Sequence, residues 1–179
     1  MVLWSGDGRD LPMRFVTLQD LETGSAYWRY SAPNRWEYLS VAIAQLKAWN
    51  VKTMLEIGTA GLPISPDSDT MDMDAAMKPK ILHDVTVVPW PIKTKAYDVV
   101  LATQVWEHLG TSQAKAFGEV MRVARRAILS FPYGWLCQDV VHRGIGDKKI
   151  GEWTLGVPPE SKMITKAPGR RAVLMWTFR

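Results

Sequence analysis

LEIGTAGLPISPDSDTMDMD, from Leu55 to Asp74, is the stretch on which the reading of this chain turns. It opens inside a short apolar run, Val51 to Ile57, that fits a buried strand, and Gly58 ends the run in a tight turn. Gly58 and Gly61 let the backbone approach a ligand closely. GTAGLP nevertheless lacks the third glycine of a GxGxxG turn, and Pro63 and Pro66 oppose a regular helix directly behind it. In an open parallel sheet, ligands lie beyond the carboxyl ends of the strands, so this loop is where a small molecule is expected. A glycine pair alone is also an ordinary strand-to-loop turn; the weight comes from the elements around it.

Working outward, Asn34 followed by Glu37 resembles an N-cap arrangement. Trp36, Leu39, Ile43 and Leu46 then recur at three- and four-residue steps until Asn50 stops them, which predicts an amphipathic helix before the first strand. Lys80 to Asp84 and Tyr97 to Thr103 have the length and β-branched content of further buried strands, separated by a Pro-Trp-Pro loop. A second helix opens near Thr111, with Ala114, Phe117, Val120, Met121 and Ala124 along one face, and Ala127 to Phe131 follows as another strand. Met163 to Thr165 and Ala172 to Phe178 flank a Pro168-Gly169 turn and predict a terminal antiparallel hairpin at the edge of the sheet. The alternation defines a three-layer α/β sandwich with a mostly parallel sheet.

The chain has 179 residues, which suits one domain. Within it, 1–50 reads as an N-terminal helical and loop region, 51–135 as a cofactor-binding core, and 136–179 as a substrate-side loop with the terminal hairpin. Hydrophobic residues make up 47% and charged residues 22%, which excludes a disordered or membrane-embedded chain. No segment reads as a spanning helix, an export signal or an anchor, and the single cysteine, Cys137, has neither disulfide partner nor zinc-ribbon spacing, so a cytoplasmic location is expected. The net charge of +4 is only mild support for a nucleic-acid partner, because the basic residues are spread out apart from Arg125-Arg126, Lys148-Lys149 and Arg170-Arg171.

A dinucleotide relies on the amides and dipole of a helix N-terminus to hold its phosphates, and the loop after Gly58 offers no such helix. S-adenosylmethionine carries no phosphate. Its ammonium needs an acceptor, for which Glu56 and nearby carbonyls are suited, and its carboxylate needs donors, supplied by the amides of Thr59, Ala60 and Gly61 after Gly58. Asp72 or Asp74 follows at the spacing of an acid that accepts both ribose hydroxyls, Asp72 being favoured because it directly follows Met71. His83-Asp84-Val85 ends the next strand, where a carboxylate can accept from the adenine amine between apolar neighbours. Thr103-Gln104-Val105-Trp106-Glu107-His108 ends YDVVLAT and faces the transferable methyl. Isolated, each of these residues is also a turn, cap or solvated loop residue; their order along successive strands is what favours a site.

The stretches LEIGTAG, TMDMD, ILHDVTVVPWP, AYDVVLATQVWEHL and RVARRAILSFPYGW resemble, in that order, the class I S-adenosylmethionine-dependent methyltransferases. The likeness is to the small-molecule branch with an EH pair after the fourth strand. It spans about the middle half of the chain and implies a seven-stranded Rossmann-like sheet with a reversed final strand. It further implies that Glu56, Gly58, Ala60 and Gly61 form the glycine-loop motif, that Asp72 is the ribose acid, that Asp84 contacts adenine and that Gln104 lies beneath the methionyl group. The sequence departs from the family in two places. The interval between LEIGTAG and TMDMD is too short and Pro-rich for the usual first helix, and Leu62-Pro63 replaces the last glycine of the motif.

Methyl transfer from a sulfonium needs alignment and exclusion of water and demands no metal. If the acceptor is a small-molecule hydroxyl, a base takes its proton. His108 is the first candidate and His142, in HRGIGDKK, the second, with Glu107 orienting the histidine or the substrate. Trp90, Trp106, Tyr133 and Trp135 are candidates for the pocket wall, although aromatic residues at strand ends usually pack in the core. The alternatives are a nucleic-acid methyltransferase, suggested by the basic pairs, and a non-catalytic cofactor-binding member of the fold, suggested by the reduced first helix. The oligomeric state is not encoded in any motif.

Overall fold

The computed structural model describes residues 12–166 and 169–179. Most of the loop-like start and Pro168 of the expected turn lie outside the described residues. The elements are α1 (Leu18–Thr23), α2 (Ala26–Arg29), α3 (Ala32–Ala48), β1 (Met54–Ile57), β2 (Asp69–Asp72), β3 (Ile81–Leu82), β4 (Tyr97–Thr103), α4 (Gln113–Val123), β5 (Ala124–Pro132), α5 (Asp147–Trp153), β6 (Ser161–Ile164) and β7 (Arg171–Thr177). The seven strands form one sheet in the order β3-β2-β1-β4-β5-β7-β6, in which β7 alone runs against its neighbours. The fold class is the three-layer α/β sandwich that the alternation of elements predicts.

Alternation along the strands sorts the core into two layers. Met54, Val99, Leu101, Ile128, Val173 and Met175 meet α3 through Leu39, Ile43 and Leu46. Leu55, Ile57, Val100, Leu129, Leu174 and Trp176 meet the opposite layer, which contains Phe117 and Val120 of α4 and Trp153 of α5. β7 therefore has apolar residues facing both ways. With β6 it forms the terminal antiparallel hairpin at the edge of the sheet that the sequence predicts, β7 sitting between β5 and β6 and the exposed β6 forming the rim. A strand buried on both faces needs neighbours on both sides, whereas polar β6 tolerates the rim.

The start of α3 also differs from expectation. Pro33 occupies the first turn, where a missing N–H costs nothing, so the helix begins at Ala32 after left-handed Ser31, and Asn34 lies inside it with Nδ2 donating to Ser31 Oγ at 2.8 Å. Asn50, at φ 49°, ends the segment as anticipated. Two short helices, α1 and α2, replace the expected loop; the signal was Thr17-x-x-Asp20, where the Thr17 amide donates to Asp20 Oδ2 at 2.7 Å.

No helix separates β1 from β2. Glu56 takes over its anchoring role. This buried carboxylate, on the α3 face of β1, accepts from the amides of Ile64 (2.8 Å) and Ser65 (3.0 Å) and from Ser68 Oγ (2.7 Å). The same loop is pinned outside by Trp28 Nε1 donating to Ala60 O at 3.2 Å, by Val16 N donating to Ile64 O at 2.9 Å, and by the Arg14–Asp67 ion pair at 2.6 Å. On the opposite face the loop after β3 substitutes for a helix: Trp90 is buried, its amide donates to Glu119 Oε2 at 2.6 Å, and Arg122 bonds to the carbonyls of Trp90 and Ile92.

Candidate active site

Because the chain crosses the sheet toward β3 after β1 and returns past β1 with β4, the loops leaving these two neighbours diverge, and a crevice opens at their carboxyl ends. Its volume is about 470 Å³, within the range of small-molecule sites. Gly58 and Ala60 line it from the β1 loop, Asp72 and Asp74 from the end of β2, and His83, Asp84 and Val85 from the end of β3. Gln104 and His108 line it from beyond β4. Of the other candidate residues, Glu56, Thr59, Gly61, Thr103, Glu107 and His142 are not on this wall. Gly61 borders a neighbouring hollow with Trp28 and Met77.

Backbone conformation explains why these residue types stand at the mouth. Gly58 has φ +68°, and a Cβ there would lie 2.6 Å from Val105 Cγ2, so only glycine lets the β1 turn pass under the β4 loop. Gln104 is left-handed at φ 57°, a cost accepted at few non-glycine positions; its amide donates to Ser130 O and its Nε2 to Ser130 Oγ, both at 3.0 Å, which ties the strained corner to β5.

The carboxylates divide their oxygens between the fold and the crevice. Asp72 Oδ1 accepts from the Asp74 amide at 2.9 Å, and Asp74 Oδ1 caps the following short turn through the Ala76 amide at 2.8 Å. Asp72 is half-buried at the strand end, and Asp74 is exposed. Asp84 Oδ1 accepts from both the amide and the hydroxyl of Thr86 at 2.8 Å; the amide bond first, then the hydroxyl, hold this carboxyl below its usual range. His83 Nε2 lies 2.8 Å from Val87 O, so this nitrogen carries the proton and donates. Sequence reasoning missed the apolar wall of Ile57, Met71, Val105 and Leu109. Period-two alternation places Ile57 on the crevice side and Glu56 on the other, a signal legible in the strand itself.

At the far end of the crevice His108 meets residues from a distant loop. Its ring packs edge-to-face on His142, with centroids 5.1 Å apart, and His142 Nδ1 lies 2.6 Å from Asp139 Oδ2. Burial, then the neighbouring His142, push the His108 imidazole below its ordinary value. Glu107 is buried and burial pushes its carboxyl up to about 7. None of the four aromatic candidates is on the crevice wall: Trp90 and Trp106 are core, Tyr133 bonds to Asp147, and Trp135 stacks on Arg171.

No protein-family profile and no curated protein matches the sequence. Solved structures do match in fold. The N-methyltransferase NodS from Bradyrhizobium japonicum WM9, in complex with S-adenosyl-L-homocysteine, aligns with a TM-score of 0.66 at 12% identity over 90% of this chain and 96% of that one. An S-adenosylmethionine-dependent methyltransferase from Clostridium acetobutylicum ATCC 824 gives 0.63 at 8% identity, covering 86% and 99%. Magnesium protoporphyrin IX methyltransferase (ChlM) from Synechocystis PCC 6803, with the same demethylated product bound, gives 0.59 at 12% identity, covering 90% and 92%. The chain has the class I S-adenosylmethionine-dependent methyltransferase fold.

Proposed function

We propose that this protein is an S-adenosylmethionine-dependent methyltransferase whose acceptor is a small molecule, with a hydroxyl as the accepting group. The observation that carries the reading is the crevice itself: acids at the ends of two successive strands, an apolar wall between them, and no helix start behind Gly58. Two carboxylates and no helix dipole repel a diphosphate but suit a nucleoside with an amino-acid tail. Asp72 keeps Oδ2 for the ribose hydroxyls and Asp84 keeps Oδ2 for the adenine amine, while Ile57, Met71, Val85 and Leu109 flank the base. The backbone from Gly58 to Gly61 and the Gln104 corner hold the methionyl end, and Glu56 acts through the loop that it anchors.

S-adenosylmethionine supplies an electrophilic methyl on a sulfonium whose leaving thioether is neutral. The chain has to align the acceptor, exclude water and assist loss of the acceptor proton. His108 is on the wall where β4 ends, with His142 and Glu107 behind it, so proton removal falls to this cluster. The basic pair Arg125-Arg126 borders a hollow with Lys95 and Arg179 by the amino ends of β4 and β5, so this pair does not lead a polyanion into the crevice at the carboxyl ends.

Calorimetry tests the donor: S-adenosyl-L-homocysteine is expected to bind one per chain, and NAD and flavin nucleotides not at all. The reverse result overturns the reading. An acceptor screen scored by a methyl-sized mass gain then separates an enzyme from a binding protein, and activity that collapses with added salt marks a nucleic-acid acceptor instead. With an acceptor in hand, His108→Ala is expected to slow turnover at least ~100-fold while changing product affinity much less. Equal turnover removes His108 from the reaction.

A further inference from the structure

The Glu107, His108 and His142 side chains each offer one ligand atom, and these atoms lie within 4.8 Å of one another. Two further observations single this cluster out. Glu107 is only 5% exposed, and both of its carboxylate oxygens are buried without a hydrogen-bond partner among the described residues. Buried carboxylates are nearly always bonded, so this one calls for a missing partner. The Arg171 charge is near enough to oppose the upward push on this carboxyl but makes no hydrogen bond to it: its Nη1 bonds to Gly169 O, its Nε is buried without a partner among the described residues, and its guanidinium lies over Trp135 at 4.3 Å.

The second observation concerns the tautomer. His142 Nδ1 is 2.6 Å from Asp139 Oδ2, so Nδ1–H donates to the carboxylate and the lone pair resides on Nε2. A carboxylate behind an imidazole in this way is the arrangement that orients a ligating histidine. The His108 ring stands beside it edge-to-face, with centroids 5.1 Å apart.

We propose that Glu107, His108 and His142 bind one divalent transition-metal cation, with Asp139 as the residue that positions His142. Two imidazoles and one carboxylate form a borderline donor set suited to zinc and its first-row neighbours, whereas calcium and magnesium favour all-oxygen shells. The ligand atoms must draw together by roughly an ångström to reach metal-bonding distances of about 2.0–2.2 Å. His142 sits in the irregular segment between β5 and α5, which can supply that shift. Three protein ligands leave a coordination position open, and His108 borders the crevice, so an acceptor hydroxyl can reach the cation.

That catalytic use rests on the methyl-transfer reading; the binding of the cation does not. In it, the acceptor oxygen bonds to the methyl carbon as the carbon–sulfur bond breaks. Sulfur leaves with the electron pair as a neutral thioether, and the hydroxyl proton, made more acidic by the cation, passes to solvent, so that with the cation bound His108 serves as a ligand in place of the base.

The test uses the full chain, stripped with a chelator and titrated calorimetrically with Zn²⁺, with Co²⁺ absorption as a second readout. One ion per chain is expected. Glu107→Gln and His142→Ala should each weaken binding at least ~100-fold, and Asp139→Asn about 10-fold. Circular dichroism confirms that the variants are folded. S-adenosyl-L-homocysteine affinity, measured in parallel, should change less than about threefold in His142→Ala, since His142 is off the crevice wall. Zn²⁺ uptake without uptake of the nucleoside upholds the cation site and removes only the methyl-transfer reading. No stoichiometric uptake, or equal affinity in wild type, Glu107→Gln and His142→Ala, overturns the site.

Discussion

The two halves of the sheet that meet at the crevice are built by different means. On one side, β1, β2 and β3 have four, four and two residues and are joined by loops; on the other, β4, β5 and β7 have seven, nine and seven. The long-stranded half is held by apolar packing: Phe117 of α4 is fully buried and meets Trp176 and Phe178 edge-to-face at 5.3 and 5.9 Å. The short-stranded half is held by carboxylates that accept backbone amides, Glu56 for the loop after β1 and Asp98 for the chain entering it. The contrast teaches that a crossover helix can be dispensed with where a buried acid satisfies the loop amides that the helix would have paired internally.

The largest effect is expected in the packed half. Phe117→Ala should cost about 3–5 kcal/mol of unfolding free energy by chemical denaturation, with product affinity retained at temperatures where the protein stays folded. In the tethered half, Glu56→Ala leaves two buried amides without their acceptor and the Ser68 hydroxyl with Ser65 O alone, and should cost roughly 3 kcal/mol while also weakening nucleoside binding through the released loop. Loss of stability without loss of binding there breaks the comparison.

Glu56 also makes that half pH-sensitive. Burial, opposed by its three hydrogen bonds, raises the carboxyl from 4.5 to about 7. The folded state therefore keeps this proton between those values while the unfolded chain releases it, so its contribution falls as pH rises through the window and levels off above about 7. Glu56→Gln, which does not titrate, should be less stable than wild type at pH 4.5, and the gap should narrow by on the order of 2–3 kcal/mol by pH 8. A gap independent of pH shows that the acid is ionised throughout.

Gly58→Ala combines a positive φ with a Cβ 2.6 Å from Val105 Cγ2, whereas the Cβ of Gly61→Ala meets only Met77 Sδ at 3.7 Å. The first should cost about 2–3 kcal/mol and weaken product binding; the second should show the conformational cost alone, about 1 kcal/mol. Thermal unfolding with and without product separates the two. The smallest effect belongs to Arg14→Ala, which removes an exposed pair with Asp67 and should leave the unfolding midpoint nearly unchanged at physiological salt.

The positions of Gly58, Asp72, Asp84 and Gln104 were legible because each comes after a run of apolar or β-branched residues, and parallel strands deliver the residues at their carboxyl ends to one edge. The reduced first crossover was legible for a similar reason: Pro63 and Pro66 forbid a helix by local sterics. Glu56 shows the limit. Its residue type suits an ammonium partner, but the side to which a strand residue points depends on register, and the α3-facing side leads to the loop amides rather than the crevice. β7 shows another limit: the edge hairpin was legible, but which of its two strands lies inside depends on the neighbours it meets in the sheet.

By itself the sequence determined the alternation of elements, the open crevice behind the first strand and the acids at its rim, because periodicity, glycine and proline act within a few residues of themselves. Only the tertiary structure decided that Glu56 anchors a loop, that β7 lies between β5 and β6, and that His142 comes to rest against Glu107 and His108. Those outcomes depend on which side chains converge from distant parts of the chain once apolar surface is buried, and that convergence is set by the packing of the whole sheet.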